Sequence, residues 1–412
     1  MSSNATRITA CRACGARLGA VFCDLGTMAV ANSYVPPDRA DAPEPVFPLR
    51  AMVCEGCRLV QLDTIVDAVG IFTDYAYFSS ASSSWLDHAA RFCAGMTERL
   101  TLGPDSFVVE VASNDGYLLR NFVAAGIPCL GVEPAANVAA IANEAGVPTE
   151  VFFFGAESAR DLVARRGLAD LVVANNVLAH VPDVNDFVAG MAIAVGDRGL
   201  VSIECPHLVN LVDGVQFDTI YHEHYAYWSL LSMEALLARH GLAVVDVERL
   251  PTHGGSLRVM ARQAPAAASD AVLAVRAEEK ARGLDGDAFY QGFEARVQEV
   301  LAGLRHWLAT ATAEGRRIGA YGAAAKGNTL LNAAGVKAPA ILAVADRSTA
   351  KQGRLLPGSH IPVVTPEALL AMGLDDILVL PWNIAGEIAG SLRRGGFGGR
   401  LVTAVPRITE LP

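Results

Sequence analysis

No apolar run in this chain approaches the roughly 18 residues that a membrane-spanning helix needs. Even DLVVANNVL, residues 170–178, is broken by polar side chains. The opening MSSNATRITAC carries no basic stretch followed by an apolar one, so nothing in it reads as a secretion signal, and a cytoplasmic enzyme without membrane contact is the expectation. Positive charge is scarce as well: 33 lysines and arginines face 43 aspartates and glutamates, a formal net charge of −10. That balance argues against a nucleic-acid footprint spread over the surface, while leaving room for a local basic pocket around a phosphate. Three short signatures are also missing: G-x-G-x-x-G for a dinucleotide, G-x-x-x-x-G-K-[ST] for a nucleoside triphosphate, and H-E-x-x-H for a catalytic zinc helix.

What is present is a chain of 412 residues, 52% hydrophobic and 18% charged, too long for one typical core. Its first distinctive feature is a pair of cysteine knuckles, Cys11-x-x-Cys14 in CRACG and Cys54-x-x-Cys57 in CEGCR. A two-residue spacer turns both thiolates of a pair toward one ion, and two pairs complete a tetrahedral sulfur shell. With all four positions filled by cysteine no site is left open for water, so the expected zinc holds the fold and does no chemistry. Disulfides fit a cytoplasmic protein poorly. A nucleic-acid-binding ribbon would want flanking lysines and arginines, and APEPVFPLRAMVC offers few. Cys23, Cys93, Cys129 and Cys205 are scattered and read as ordinary buried residues.

From Phe107 the pattern alternates. FVVEVASND reads as a strand carrying Glu110, followed by a turn and the helix YLLRNFVAAG; CLGVEP reads as a strand ending in Glu133. The helix SARDLVARRG and the strand ADLVVANNVLAHVPD follow. Such alternation predicts a doubly wound parallel sheet with its ligand at the carboxyl ends of the strands. Lacking a pyrophosphate cradle, the site suits S-adenosylmethionine better than a dinucleotide. Glu133 is placed to accept both ribose hydroxyls, Phe153 or Phe154 to stack on the adenine, and Asn175 to contact the amino-acid portion. Glu110, Ala112, Asn114, Asp115 and Pro134 complete the candidate cofactor set.

Residues 272–313 read as long helices, and RRIGAYGAAAKGNTLLNAAG then reads as a strand turning through small residues into a helix. Small residues let a ligand approach the backbone, and the helix start with Lys326 favours an anion. Further strands ending in Asp346 and Asn383 suggest a second, degenerate Rossmann-like unit. A glycine-rich turn followed by an acid at the next strand end also describes a nicotinamide site, so an NAD-dependent sugar-nucleotide oxidoreductase is the rival reading.

IYHEHYAYWS, residues 220–229, concentrates two histidines and a glutamate among aromatics. On a helix the H-x-H spacing points the rings apart; on a strand they share a face but lack a third ligand. An acid–base cluster is the better reading, with His222 the weaker, structural member.

The series CRACG…CEGC, YAYFSSASSSW, VEVASNDGYLL, GVEPAANVA, FDTIYHEHYAYWSL, THGGSLRV, YGAAAKGNTLLN and KQGRLLPGSHIPVVTPE, in this order, resembles the nucleotide-sugar C-methyltransferases of antibiotic deoxysugar pathways, the tetronitrose 3-C-methyltransferases among them. The resemblance spans essentially the whole chain. It implies an α/β protein with a small N-terminal zinc-binding domain (1–70), a central Rossmann-like S-adenosylmethionine methyltransferase domain (71–265) and a C-terminal Rossmann-like domain (266–412). The implied substrate is a TDP-4-keto-6-deoxysugar, with or without a 3-amino group, methylated at a ring carbon beside the ketone.

On that resemblance His224 is the base that removes the acidic proton, with Tyr221 and Glu223 assisting and His180 a second candidate. Tyr221 is expected to donate to the developing enolate oxygen. Tyr75, Phe78 and Ser80 in TDYAYFSSASSSW are implied to close over the cofactor. His180, Tyr221, His253, Lys326, Asn328 and Asn383 are the candidate substrate contacts, His253 with Gly254 and Gly255 in the cleft between domains. C3 is the expected point of attack. C5 also flanks the ketone and is the alternative.

Overall fold

The computed structural model describes residues 5–66, 79–81 and 83–412. Near the amino terminus are β1 (Ala5–Arg7), β2 (Leu18–Ala29), β3 (Val46–Cys54), β4 (Val60–Leu62) and β5 (Thr64–Val66). β2 and β3 pair antiparallel, and the second cysteine knuckle is the turn that leads from β3 into β4.

The central part contains β6 (Val108–Val111), β7 (Cys129–Val132), β8 (Thr149–Glu150), β9 (Ala169–Asn175), β10 (Val195–Pro206), β11 (Ala226–Tyr227), β12 (Leu242–Leu250) and β13 (Ser256–Gln263). β6 and most of β9 are buried on both faces, as strands sandwiched between helices must be. Seven of these strands form one sheet in the order β12-β13-β10-β9-β6-β7-β8. β6 to β10 run parallel, while β13 is antiparallel to both of its neighbours. The helices fall slightly off the sequence reading: Leu119–Ala124 starts later than YLLRNFVAAG suggested, and β9 stops at Asn175.

β11 leaves this sheet. It pairs with β4 to give the order β11-β4-β3-β2, so the residues just after the histidine cluster are hydrogen-bonded into the cysteine-bearing sheet.

The carboxyl-terminal part begins with helices Asp270–Ala281 and Phe293–Ala313 and continues through β14 (Ile318–Tyr321), β15 (Val344–Ala345), β16 (Val363–Val364), β17 (Asp376–Val379), β18 (Arg400–Thr403) and β19 (Thr409–Leu411). Their order, β16-β15-β14-β17-β18-β19, is the 3-2-1-4-5-6 of doubly wound folds, with only β19 antiparallel.

The three parts are not beads on a string. Phe22 of β2 stacks on Phe293 at 4.4 Å, and one core joins Leu49, Phe217, Leu304 and Leu331. A second core joins Cys11, Leu59, Val172 and Trp228. Cys23, Cys93 and Cys205 are buried as expected; Cys129 is half-buried instead. Among the described residues no helix is long and apolar enough to cross a membrane.

Candidate active site

The four knuckle cysteines converge, their sulfurs all within 4.8 Å of one another. Cys11 and Cys57 approach to 3.6 Å, Cys14 and Cys54 to 3.4 Å. A tetrahedron with Zn–S bonds of about 2.3 Å has edges of roughly 3.8 Å, so the quartet fits a zinc ion. The Cys54 sulfur also accepts the amides of Gly56 and Cys57 at 3.3 and 3.4 Å, which favours a thiolate. A Cβ on Gly56 would meet the Cys14 sulfur at 3.3 Å and the Ala16 Cβ at 2.9 Å, so the knuckle needs glycine there. None of the eight cysteines forms a disulfide among the described residues.

At the carboxyl ends of β6, β7 and β9 lies a polar crevice. Ala112 and Asn114 take left-handed backbone conformations, φ 54° and 51°, that non-glycine residues adopt only when the surroundings enforce them. The Glu133 carboxylate is pinned between the amides of Asn114 (3.0 Å) and Ala135 (2.9 Å), with Pro134 half-buried beside it. Beneath it Glu110 is only 1% exposed, and burial pushes its carboxyl well above the usual range. Ser80 donates its amide and hydroxyl to Asp115, at 3.1 and 2.6 Å, and the Ser79 amide reaches Asn114 at 2.9 Å. Phe154 packs on Phe187 in the core, whereas Phe153 is 55% exposed, so of the two rings Phe153 is the one left for stacking. Asn175 is buried with its Oδ1 lacking a partner among the described residues, and so are both amide atoms of Asn176. A fixed carboxylate, orphaned amides and a free ring match the hydroxyls, amino-acid end and base of S-adenosylmethionine. Tyr75 and Phe78 lie outside the described residues.

The histidine cluster sits on the loop between the turn Phe217–Thr219 and β11. The His224 amide bonds to the Tyr221 carbonyl at 2.8 Å, a tight turn that stacks the two side chains at 3.9 Å between ring centroids. Nδ1 of His224 lies 2.8 Å from the Thr219 carbonyl. A carbonyl can only accept, so Nδ1 carries the proton and Nε2 is the basic nitrogen. The Tyr221 hydroxyl meets Nε2 at 2.6 Å. His180 arrives from the turn after β9, its ring 4.6 Å from that of His224 and its Nδ1 donating to the Glu223 carbonyl at 2.7 Å. Burial pushes His180 down to about 4, and burial first, with His180 and Lys326 nearby, holds His224 well below the ordinary imidazole value. Both rings are therefore neutral at neutral pH.

The segment is a turn, neither helix nor strand, and His222 makes contacts separate from those of His224. His222 is fully buried, with Nε2 at 3.2 Å from the Phe47 carbonyl. Glu223 is 1% exposed; its Oε1 accepts the amide (3.2 Å) and Nδ2 (3.1 Å) of Asn32, and burial pushes its carboxyl up to about 7.

The carboxyl-terminal part closes the other side. Nζ of Lys326 bonds to Asn383 Oδ1 at 2.7 Å and lies 4.8 Å over the Trp382 ring. The Trp382 indole donates to Asp218 at 2.7 Å, and Asp218 directly precedes the residue whose carbonyl orients His224. Trp382 also packs on Gly254, where φ is 89° and an added Cβ would fall 2.4 Å from the indole. His253 beside it meets Trp85 edge-on at 5.2 Å. Asn328 is buried beneath the small-residue turn, its amide tied to the Ala31 carbonyl and Asn332, both at 3.2 Å.

Although this domain has the strand order of dinucleotide binders, its turn is occupied from within. The Tyr34 hydroxyl and Lys351 Nζ both donate to the Ala323 carbonyl, and Asp346 pairs with Lys351 at 3.5 Å. Asn32, Tyr34, Asp218, Trp382 and Asn176 escaped the sequence reading. Asp218 and Asn176 lay inside motifs quoted there; Asn32 and Tyr34 carry no local signal.

Family models match the chain in three blocks: a zinc binding domain over residues 11–72, a methyltransferase domain over 85–247, and a C-methyltransferase C-terminal domain over 251–406. The chain is similar to the C-methyltransferase NovU of Streptomyces niveus, 36% identical over 404 residues that cover 97% of this chain and 96% of that one. Among solved structures, the PH0226 protein of Pyrococcus horikoshii OT3 matches at 14% identity and TM-score 0.37, over 47% of this chain and 97% of its own. The S-adenosylmethionine-bound magnesium protoporphyrin IX methyltransferase (ChlM) of Synechocystis PCC 6803 matches at 12% and 0.33, over 43% and 78%.

Proposed function

This chain belongs to the C-methyltransferase family, and from that premise we propose that it methylates C3 of a TDP-4-keto-6-deoxysugar, with or without a 3-amino group, in cytoplasmic deoxysugar biosynthesis. It is an S-adenosylmethionine-dependent enzyme. S-adenosylmethionine supplies, when bound, an electrophilic methyl on a sulfonium; Glu133, Asn175, Asp115 and Phe153 are the residues that would hold it.

The observation that carries the reading is His224, a neutral imidazole whose protonated Nδ1 is held by the Thr219 carbonyl and whose Nε2 points to Tyr221. A carbon beside a ketone gives up a proton to such a base and becomes an enolate. In this reading the C–H proton passes to Nε2, and the electron pair left on carbon is available to the methyl that bound S-adenosylmethionine would supply, the methyl–sulfur bond breaking as the sulfonium leaves as a neutral thioether. The Tyr221 hydroxyl then turns from Nε2 to the oxygen that gains charge. Lys326 and Asn383 bind the sugar nucleotide from the other side, and His180 and His253 line the space between.

The test is incubation with S-adenosylmethionine and TDP-4-keto-6-deoxysugars. One added methyl, located at C3 by NMR, and solvent deuterium entering that carbon are expected. A methyl at C5 would replace C3 by C5 with the same base, since C5 is also beside the ketone. Nicotinamide-dependent turnover of the sugar, with no methylation, would sink the proposal.

A further inference from the structure

Both histidine-bearing segments are gripped by the zinc-binding domain. Arg12 lies between the two cysteines of the first knuckle. Its Nη1 donates to the carbonyls of Val181 (2.8 Å) and Pro182 (2.9 Å), which directly follow His180. Its Nη2 donates to the carbonyl of Tyr225 at 2.7 Å, which directly follows His224. One planar guanidinium thus spans the two backbones that carry the two rings. A fork of fixed geometry sets their separation in a way a flexible ammonium could not.

The second grip is Asn32, in the turn after β2. Both of its donors meet one oxygen of Glu223, whose main-chain carbonyl in turn receives Nδ1 of His180. Asn32 is itself exposed while Glu223 is 1% exposed, so Asn32 covers the carboxyl from the solvent side. The same turn is tied to the C-terminal part by Ala31, which accepts from Asn328, and by Val35, which pairs with Leu355 at 2.9 and 2.8 Å.

We propose that Arg12 and Asn32 are positioning residues for the His180–His224 pair: the zinc knuckle and the turn after β2 set the distance and tilt of the two rings, so the metal-bearing domain is part of the proton-transfer apparatus. This rests on the reading of His224 as the base. Neither residue is expected to touch substrate. Their effect is on the alignment of Nε2 with the proton it takes, where small misplacement is costly.

The test measures two rates in each variant, methyl transfer and exchange of the sugar's α-proton into D2O, alongside KM for S-adenosylmethionine, zinc content and unfolding temperature. Arg12→Met is expected to slow exchange and transfer together, about 10- to 100-fold. Arg12→Lys should fall between it and wild type, because a point charge reaches fewer of the three carbonyls. Asn32→Ala, which keeps its backbone amide donor, should lose about 3- to 10-fold. KM for S-adenosylmethionine and the zinc content should hold in all three.

Exchange at the wild-type rate in both Arg12→Met and Asn32→Ala overturns the proposal. So does a loss in which KM for S-adenosylmethionine rises and the unfolding temperature drops while the exchange rate per folded enzyme is unchanged. His224→Ala, run in parallel, separates the two ideas: if it keeps full exchange, the base assignment itself has failed, whatever Arg12 and Asn32 do.

Discussion

The Tyr221 hydroxyl lies 2.6 Å from Nε2 of His224, on the one ring nitrogen that the Thr219 carbonyl leaves without a proton. The base is thus held in one tautomer and its lone pair is covered until a better partner arrives. His224→Ala is expected to abolish α-proton exchange and methyl transfer together, by about 100-fold or more. Tyr221→Phe uncovers Nε2 but removes a donor to the enolate oxygen. Both reactions pass through that enolate, so exchange and methyl transfer are expected to fall together, as paired rate measurements in D2O will read.

Glu223, pushed up to about 7, and His224, held well below 6.5, titrate apart. A base with a depressed pKa stays unprotonated, and so active, further into acid. In Glu223→Gln, which removes the group near 7, the exchange rate should therefore stay level down through pH 6.5. A limb in that variant at the ordinary imidazole value would assign the proton transfer to an exposed histidine.

Glu133, held by two backbone amides, is the group expected to recognise the ribose. Glu133→Ala should weaken S-adenosylmethionine binding by about 10- to 100-fold, the scale of charged hydrogen bonds, with little change in KM for the sugar. Calorimetric titration with S-adenosylhomocysteine reads this without turnover.

Trp382 joins Asp218 to Lys326 across the domain boundary. Trp382→Phe strips the indole donor from a fully buried carboxyl that burial has already pushed up to about 6. Lys326→Met removes the half-buried cation. Both are expected to raise KM for the sugar nucleotide, Lys326→Met by about 10-fold or more, and to leave S-adenosylmethionine binding intact.

Away from the chemistry, Glu204 is fully buried and ionised between Arg258 (2.9 Å) and His88 (2.9 Å), and accepts the Thr252 hydroxyl at 3.0 Å. Burial opposes its charge, but His88 and Arg258 outweigh that and hold its pKa below the ordinary value. Because the folded-state pKa is the lower one, its contribution is present above the unfolded carboxyl range and lost as pH falls through the folded value. Arg258→Met removes the permanent cation and leaves that charge to His88 and the Thr252 hydroxyl, and should destabilise by about 3–5 kcal/mol, measured by urea unfolding at neutral pH.

One metal ion per chain is expected by elemental analysis. Strong chelation at neutral pH should unfold the N-terminal part, since structural zinc sites contribute about 10 kcal/mol or more. Retention of full secondary structure and activity after complete metal removal would refute the structural role.

The amino-acid sequence by itself determined the parts whose physics is local. Two-residue spacers make Cys11, Cys14, Cys54 and Cys57 a metal quartet wherever the chain goes. Apolar runs separated by helical periods dictate β6 to β9 and the crevice that holds Glu133. The H-x-H spacing is not that of a zinc helix. Only the tertiary structure decided which residues stand around them. Arg12 meets Tyr225 across 213 positions, Asn32 meets Glu223 across 191, and Trp382 meets Asp218 across 164. No period or spacing encodes such pairs. They exist because β11 leaves its own sheet for the cysteine-bearing one, and because one apolar core binds β2, the loop after β10 and the C-terminal sheet together. Burying that shared apolar surface is what brings a zinc knuckle, a histidine loop and a lysine from three parts of the chain to one cleft.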